Sequence, residues 1–414
     1  MSANLRRVFA SLHYPYFRNF FLAQNVVMVG GWLQSSAVLW LVYRLTQDPL
    51  LLGLCAFLGQ LPVFLLTPFA GVLSDRFNKK VLLRFYVLGT TTFSLLLTIA
   101  AWRQIEFVPV YFLLNSCLGV VSGLDMSVRQ SMVSELVPDK KHISNALSLF
   151  SMSNHCSRII SFALFGLIIK FYGETGCFFG NTLCALAMFF VLTSIPSTEV
   201  YQPDDNVHTM SFWQSFLDGA RYMYTDKAMR SLVTMIIGMS MIGMSYTVTL
   251  PVLAQEVFHG DASTFGWLMT GVSLGSLTAA VQLAYRRNIL NLEQSIVQAG
   301  LLWGAMYLLV AFNKILWLNW LFLILLGHGM VVQFGSNIIM QTLVQPRYRG
   351  RLVSFYILAF HGMLPFGSLL VGRLTAWLGS QLTLFFCGLF CLGVMGWFAR
   401  RQGLVAVKIK THAS

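Results

Sequence analysis

Charge is what this sequence has least of. Of 414 residues only 10% are Asp, Glu, Lys or Arg, against about a quarter in a soluble domain. So few charges cannot cover a water-facing surface, so the apolar surface must face lipid. Acidic residues are scarcest, with 15 Asp and Glu against 28 Lys and Arg, a net charge of +13. The seven cysteines, Cys55, Cys117, Cys156, Cys177, Cys184, Cys387 and Cys391, form no Cys-x-x-Cys pair and have no His cluster beside them. They read as small packing residues, not as disulfides or metal ligands. No Gly-rich run ends in Gly-Lys-Ser/Thr, and no His-Glu-x-x-His occurs. Nucleotide-driven transport and zinc hydrolysis therefore have no sequence support. No nucleophile–base constellation suggests an enzyme, and no cofactor is expected. Work across a membrane must draw on an ion gradient.

What is present is apolar length. Hydrophobic residues make up 56% of the chain, with 34 Phe and 10 Trp suited to lipid and its interface. A bilayer crossing takes about 20 apolar residues. That measure predicts spans at 20–43, 50–73, 81–101, 107–128, 145–169, 176–195, 228–250, 263–285, 294–312, 316–341, 352–378 and 380–399. The expected fold is an all-α membrane protein of twelve transmembrane helices. The start carries Arg6, Arg7 and Arg18 and runs into a span-length stretch, which reads as an uncleaved first helix.

Lys and Arg set the orientation. With both ends inside, twenty-two of them fall in inner segments. Only Arg44, Arg103, Lys170 and Lys314 fall outside, and Arg158 and Arg373 lie within spans. The bias alternates loop by loop, so the positive charge is a topology signal and not a nucleic-acid footprint. The expected location is the inner membrane, multi-pass, with both termini cytoplasmic.

The longest polar segment lies between the sixth and seventh spans and contains Gln202-Pro203-Asp204-Asp205-Asn206. Phe212, Trp213, Phe216 and Ala220 follow at helical spacing and predict an amphipathic helix on the inner face. The expected organisation is a bundle at 1–195, a cytoplasmic linker at 196–227 and a second bundle at 228–414. A faint repeat supports two six-helix halves. At an offset of 206, Ser148 aligns with Ser354 and His155 with His361.

After the second span stands Gly71-Val72-Leu73-Ser74-Asp75-Arg76-Phe77-Asn78-Lys79-Lys80. Gly71 permits close helix approach, Asp75 can accept from amides at a helix N-terminus, and Arg76, Lys79 and Lys80 hold the loop inside. The bland alternative is a purely topological loop. The pattern Gly-x-x-x-Asp-Arg-x-x-[Arg/Lys]-[Arg/Lys] resembles the signature of the major facilitator superfamily. Trp40-Leu41-Val42-Tyr43-Arg44-Leu45-Thr46, Gly123-Leu124-Asp125-Met126-Ser127-Val128-Arg129-Gln130, Asn145-Ala146-Leu147-Ser148-Leu149 and Gly350-Arg351-Leu352-Val353-Ser354 narrow the likeness. They resemble a branch of the transmembrane secretion effector type, which includes the enterobactin exporter and macrolide efflux proteins. That resemblance spans nearly the whole chain. It implies a proton-linked exporter of a small, often amphipathic molecule, in which the first-loop motif latches an inner gate together with Asp125 and Arg129. The branch usually has Gly-Pro after Arg158-Ile159-Ile160, where Ser161-Phe162 stands here, and Gly is common where Asn78 stands.

Charges inside spans are rare and usually functional. Asp125 and Arg129, one turn apart, read either as part of the gate or as an ion pair fastening helices. Arg158 could pair with Asp125 or attract an anionic substrate. His155, His328 and His361 fall near mid-span and read either as proton-carrying groups or as neutral histidines bonded between helices. Gln333, Asn337 and Gln341 recur every four residues, so three amides share one face that must turn inward. In the resembled fold that helix lines the substrate path, with Trp32, Ser36, Asn115, Ser245 and Tyr246 as further candidates. The expected partners are a small-molecule substrate, protons and the bilayer; the sequence leaves the oligomeric state open, with a monomer plausible. Anionic or metal-chelating cargo such as a siderophore ranks ahead of drug efflux, and import of the same cargo ranks third. A non-transporting sensor or scaffold would call for a large soluble appendage, which is absent.

Overall fold

The computed structural model describes residues 10–195, 221, 224–286, 288–344, 356 and 358–413, and all regular structure among them is helical. After a short 3-10 turn at Ala10–His13 come α1 (Pro15–Thr46), α2 (Pro49–Arg76), α3 (Lys79–Trp102), α4 (Val108–Glu135) and α5 (Lys140–Ser194). Then follow α6 (Lys227–Gly243), α7 (Tyr246–Glu256), α8 (Ala262–Ala284), α9 (Leu292–Phe312), α10 (Leu316–His328) and α11 (Val331–Leu343). The chain closes with α12 (Leu364–Ala399) and α13 (Gln402–Ala413). The amphipathic helix expected at Phe212–Ala220 lies outside the described residues.

Helix starts are marked by short polar side chains that bond exposed amides. Asn78 accepts from the amides of Lys80 and Val81, Asp139 from Lys141, Asp226 from Ala228 and Met229, and Asp261 from Ser263 and Thr264. The asparagine that replaces the commoner glycine at position 78 thus caps α3.

Among the described residues ten helices are long and apolar enough to cross a membrane. Two of them, Lys141–Ser194 and Leu358–Ala399, contain 54 and 42 residues. As one straight helix the first would reach about 80 Å, far beyond a hydrocarbon core of about 30 Å. Gly173 (φ 64°, ψ −169°) and Gly379 (φ 77°, ψ 167°) break them. At positive φ these positions favour glycine. Each broken helix has the length of two crossings, and the twelve expected spans rest on these two breaks.

The chain forms two compact units, Met1–Gln47 with Leu58–Asp205, and Asp48–Phe57 with Asn206–Ser414. In the first, α1 packs along α5, and α3 packs on α4 and α5. Its core includes Phe17, Phe20, Leu83, Val87, Val128, Val133 and Met188, all essentially buried. In the second, α9 and α6 pack on α12, and α8 packs on α10. The first turns of α2 belong here. A Cβ at Gly53 would lie 2.6 Å from the Ser368 carbonyl oxygen and 3.0 Å from the Gly372 Cα, so the two backbones touch.

Candidate functional site

The first-loop motif begins on α2, whose last turns hold Gly71, Asp75 and Arg76; their side chains lie outside the described residues. The lysines that follow are engaged. Lys79 Nζ pairs with Glu135 at the end of α4. Lys80 Nζ donates to the Ile195 carbonyl, and Arg84 Nη2 donates to the Leu192 carbonyl at 3.1 Å. Two cations on α3 therefore sit at the C-terminal carbonyls of α5, where a helix end attracts positive charge.

Asp125 and Arg129 form an ion pair on α4. Asp125 Oδ2 accepts from Arg129 Nε at 2.7 Å and lies 2.6 Å from Nη2. Arg129 Nη1 also donates to the Gln24 side chain of α1, closing a three-helix-residue network between α1 and α4. Asp125 is thus held by Arg129. Its second oxygen, Oδ1, and the Tyr86 hydroxyl are buried with no hydrogen-bond partner among the described residues.

Arg158 lies on α5 and is only 7% exposed. Its guanidinium carbon sits 5.1 Å from the Trp32 ring centre and 5.9 Å from that of Phe162. Trp32 in turn donates from Nε1 to Asn154 at 3.2 Å. Ser157 and Ser161 bond to the Asn25 and Val29 carbonyls and fasten α5 to α1 beside this cluster. The guanidinium thus lies in cation–π contact with two aromatic rings. His155 stands one turn earlier on the same helix, half-buried.

The second unit carries the amide face. On α11, Gln341 Nε2 donates to Asn337 Oδ1 at 2.8 Å. Gln333 Oε1 is buried without a hydrogen-bond partner among the described residues, and Tyr356 donates to the Gln333 backbone carbonyl at 3.0 Å. A small cavity of about 10 Å³ lies between Ser240, Trp303, Val332, Gln333 and Phe360. His361 sits edge-on to Phe360 with ring centres 4.9 Å apart. His328 Nδ1 lies 2.8 Å from Thr278 Oγ1 and ties α10 to α8.

Two of the spans here are interrupted at mid-length. Lys227–Glu256 breaks at Met244–Ser245 between α6 and α7, and Leu316–Leu343 breaks at Gly329–Met330 between α10 and α11. Breaks in apolar surroundings need their freed backbone groups satisfied. Tyr307 of α9 donates to the Gly243 carbonyl at 2.6 Å, and Trp303 fills the space beside both Gly243 and Gly329.

The sequence brought Asp125 to Arg129 correctly through helical spacing. Gln24, Glu135 and Trp303 were not singled out, and Phe162 read only as a departure from the branch's Gly-Pro. Gln24 carried a signal, an amide inside an apolar span that also holds Asn25 and Gln34, and it proves 3% exposed.

Comparison with known proteins gives a consistent pattern. A family model described as transmembrane secretion effector matches residues 7–407. A staphyloferrin A transporter of Staphylococcus aureus (strain NCTC 8325 / PS 47) is 24% identical over 407 residues, covering 95% of this chain and 98% of its own. Multidrug efflux pump Tap of Mycolicibacterium fortuitum is 22% identical over 393 residues, covering 90% and 92%. Among solved structures, nucleoside transporter NupG superposes with a TM-score of 0.74 at 12% identity, covering 93% of this chain and 98% of that one. A D-xylose-proton symporter superposes at 0.72, also at 12% identity, covering 93% and 97%.

Proposed function

This chain belongs to the transmembrane secretion effector family of major facilitator transporters, and from that premise we propose that it exports a small anionic or metal-chelating molecule, a siderophore first among them. The cargo crosses the inner membrane in exchange for protons, and both chain ends stay in the cytoplasm. The protein is a multi-pass membrane transporter; substrate, direction and coupling are our reading.

The observation that carries it is Arg158, a buried cation packed against the adjoining rings of Trp32 and Phe162. In a low-dielectric setting one fixed guanidinium favours an anion strongly and repels a cationic drug. The flanking rings suit an amphipathic cargo. The likeness to a staphyloferrin A transporter supports the same choice. In the second half, Gln333, Asn337 and Gln341 offer amides that bind without charge. His155 and His361 serve as proton-responsive groups. Gly71, Asp75, Arg76, Lys79 and Lys80 act with Asp125 and Arg129 as the inner gate.

The test compares metabolites secreted by wild-type and deleted cells, with and without iron limitation. The reading predicts a chelator that disappears from the medium and accumulates inside deleted cells under iron limitation. Unchanged secretion with lost drug resistance would favour the second reading, drug efflux, which the likeness to multidrug efflux pump Tap supports. Normal secretion with lost uptake would favour import.

A further inference from the structure

Glu293 is the last carboxylate side chain in the sequence. Beyond it come nine Lys and Arg and no acid, and four of the nine, Arg400, Arg401, Lys408 and Lys410, fall within the last fifteen residues. Inner-face placement accounts for where these cations are. It does not account for the helix that bears them.

α13 is two-faced. Val405 and Ile409, one turn apart, are fully buried against the second unit, where α13 packs on α6, α9 and α11. Lys408 reaches the Asp226 carboxylate, the same side chain that caps α6. On the opposite face Leu404 is 43% and Val407 64% exposed, and Arg400, Arg401 and Lys410 are exposed around them. The Arg401 guanidinium lies 4.6 Å above the ring centre of Trp397, one turn back at the end of α12. An indole at the end of a span marks the membrane–water interface. α13 therefore begins at headgroup depth, with its inner face already packed against protein.

We propose that the outer face of α13 is a binding surface for anionic phospholipid. Arg400, Arg401 and Lys410 bind headgroup phosphates, and Leu404 and Val407 enter the acyl boundary between them. Lys408 takes no part, because Asp226 holds it. The bound lipid presses α13 onto the N-cap of α6, so the inner leaflet's charge bears on the start of the seventh span. The inference rests on the membrane embedding and on the cytoplasmic placement of the chain ends proposed above, not on the identity of the cargo.

Native mass spectrometry of the purified full chain tests it, after exposure to mixed micelles of phosphatidylglycerol or phosphatidylcholine with the same acyl chains. The wild-type protein should retain phosphatidylglycerol over phosphatidylcholine. The triple substitution Arg400→Gln, Arg401→Gln, Lys410→Gln should weaken retention about fivefold per cation removed. Inorganic phosphate should not compete, since the apolar residues contribute. A charge-keeping triple, Arg400→Lys, Arg401→Lys, Lys410→Arg, should retain lipid like wild type. Retention by wild type should fall as ionic strength rises from about 0.1 to 1 M, a readout independent of whether the neutral variant folds. Equal retention of both lipids by wild type, salt-independent retention, or displacement by inorganic phosphate would overturn the proposal.

Discussion

The indole of Trp303 occupies the place where a side chain at Gly329 would stand. A Cβ added there would lie 2.7 Å from two of the ring carbons, and one at Gly243 would lie 3.2 Å from the same ring. One tryptophan on the unbroken α9 therefore fits against glycines at the breaks of two spans. Those glycines serve close approach, since neither has a positive φ.

Gly329→Ala should lower the thermal unfolding midpoint in detergent by the equivalent of about 1–3 kcal/mol, the usual cost of overpacking. Trp303→Leu should itself destabilise, because it empties a filled site. The pair should be non-additive, with a coupling above about 0.5 kcal/mol. Additive losses would show that the ring and the glycine do not constrain one another.

Arg158→Gln should cut export of anionic cargo by about 10- to 100-fold, in line with the loss of one charge-assisted bidentate contact. Arg158→Lys should restore only part of it, because an ammonium keeps the charge but not the planar stack on Trp32. Cargo efflux at several concentrations checks both. Full activity in the glutamine variant would remove Arg158 from the path.

Arg129→Ala leaves Asp125 buried with no cation beside it, and should destabilise by about 3–5 kcal/mol. Gln24→Leu removes only one acceptor and should cost about 1–3 kcal/mol. The order of the two unfolding midpoints is the measurement. Equal losses would mean that Gln24 matters to the network as much as the carboxylate does.

His155→Ala or His361→Ala should change the pH profile of transport. His328→Ala should leave the profile in place and act through stability alone, because its ring is bonded to Thr278. Unchanged profiles for both His155→Ala and His361→Ala would remove the proton role.

Much of the fold was legible because span length is a blunt physical requirement. A run of apolar residues bounded by Lys and Arg leaves little choice of structure. The breaks at Gly173 and Gly379 fell where the predicted spans already parted. The break at Met244–Ser245 was not legible, since neither residue is a strong helix breaker and the tertiary support comes from Tyr307, 64 positions from Gly243. The pairing of Asp125 with Arg129 followed from one-turn spacing, whereas Gln24 lies 105 positions from Arg129 and no local pattern connects them. Arg158 stood out by its charge, but its contact with the Trp32 ring depends on α1 and α5 packing side by side. Asn78 read as a departure in a motif and proved to be a helix cap.

The most direct test is transport by the purified chain in proteoliposomes. With an acidic lumen, an anionic siderophore supplied outside should accumulate inside as protons leave. A protonophore should abolish the accumulation, and Arg158→Gln should cut its rate by about 10- to 100-fold. Accumulation no greater than in protein-free vesicles, or accumulation indifferent to both treatments, would contradict proton-driven export of an anionic cargo through Arg158.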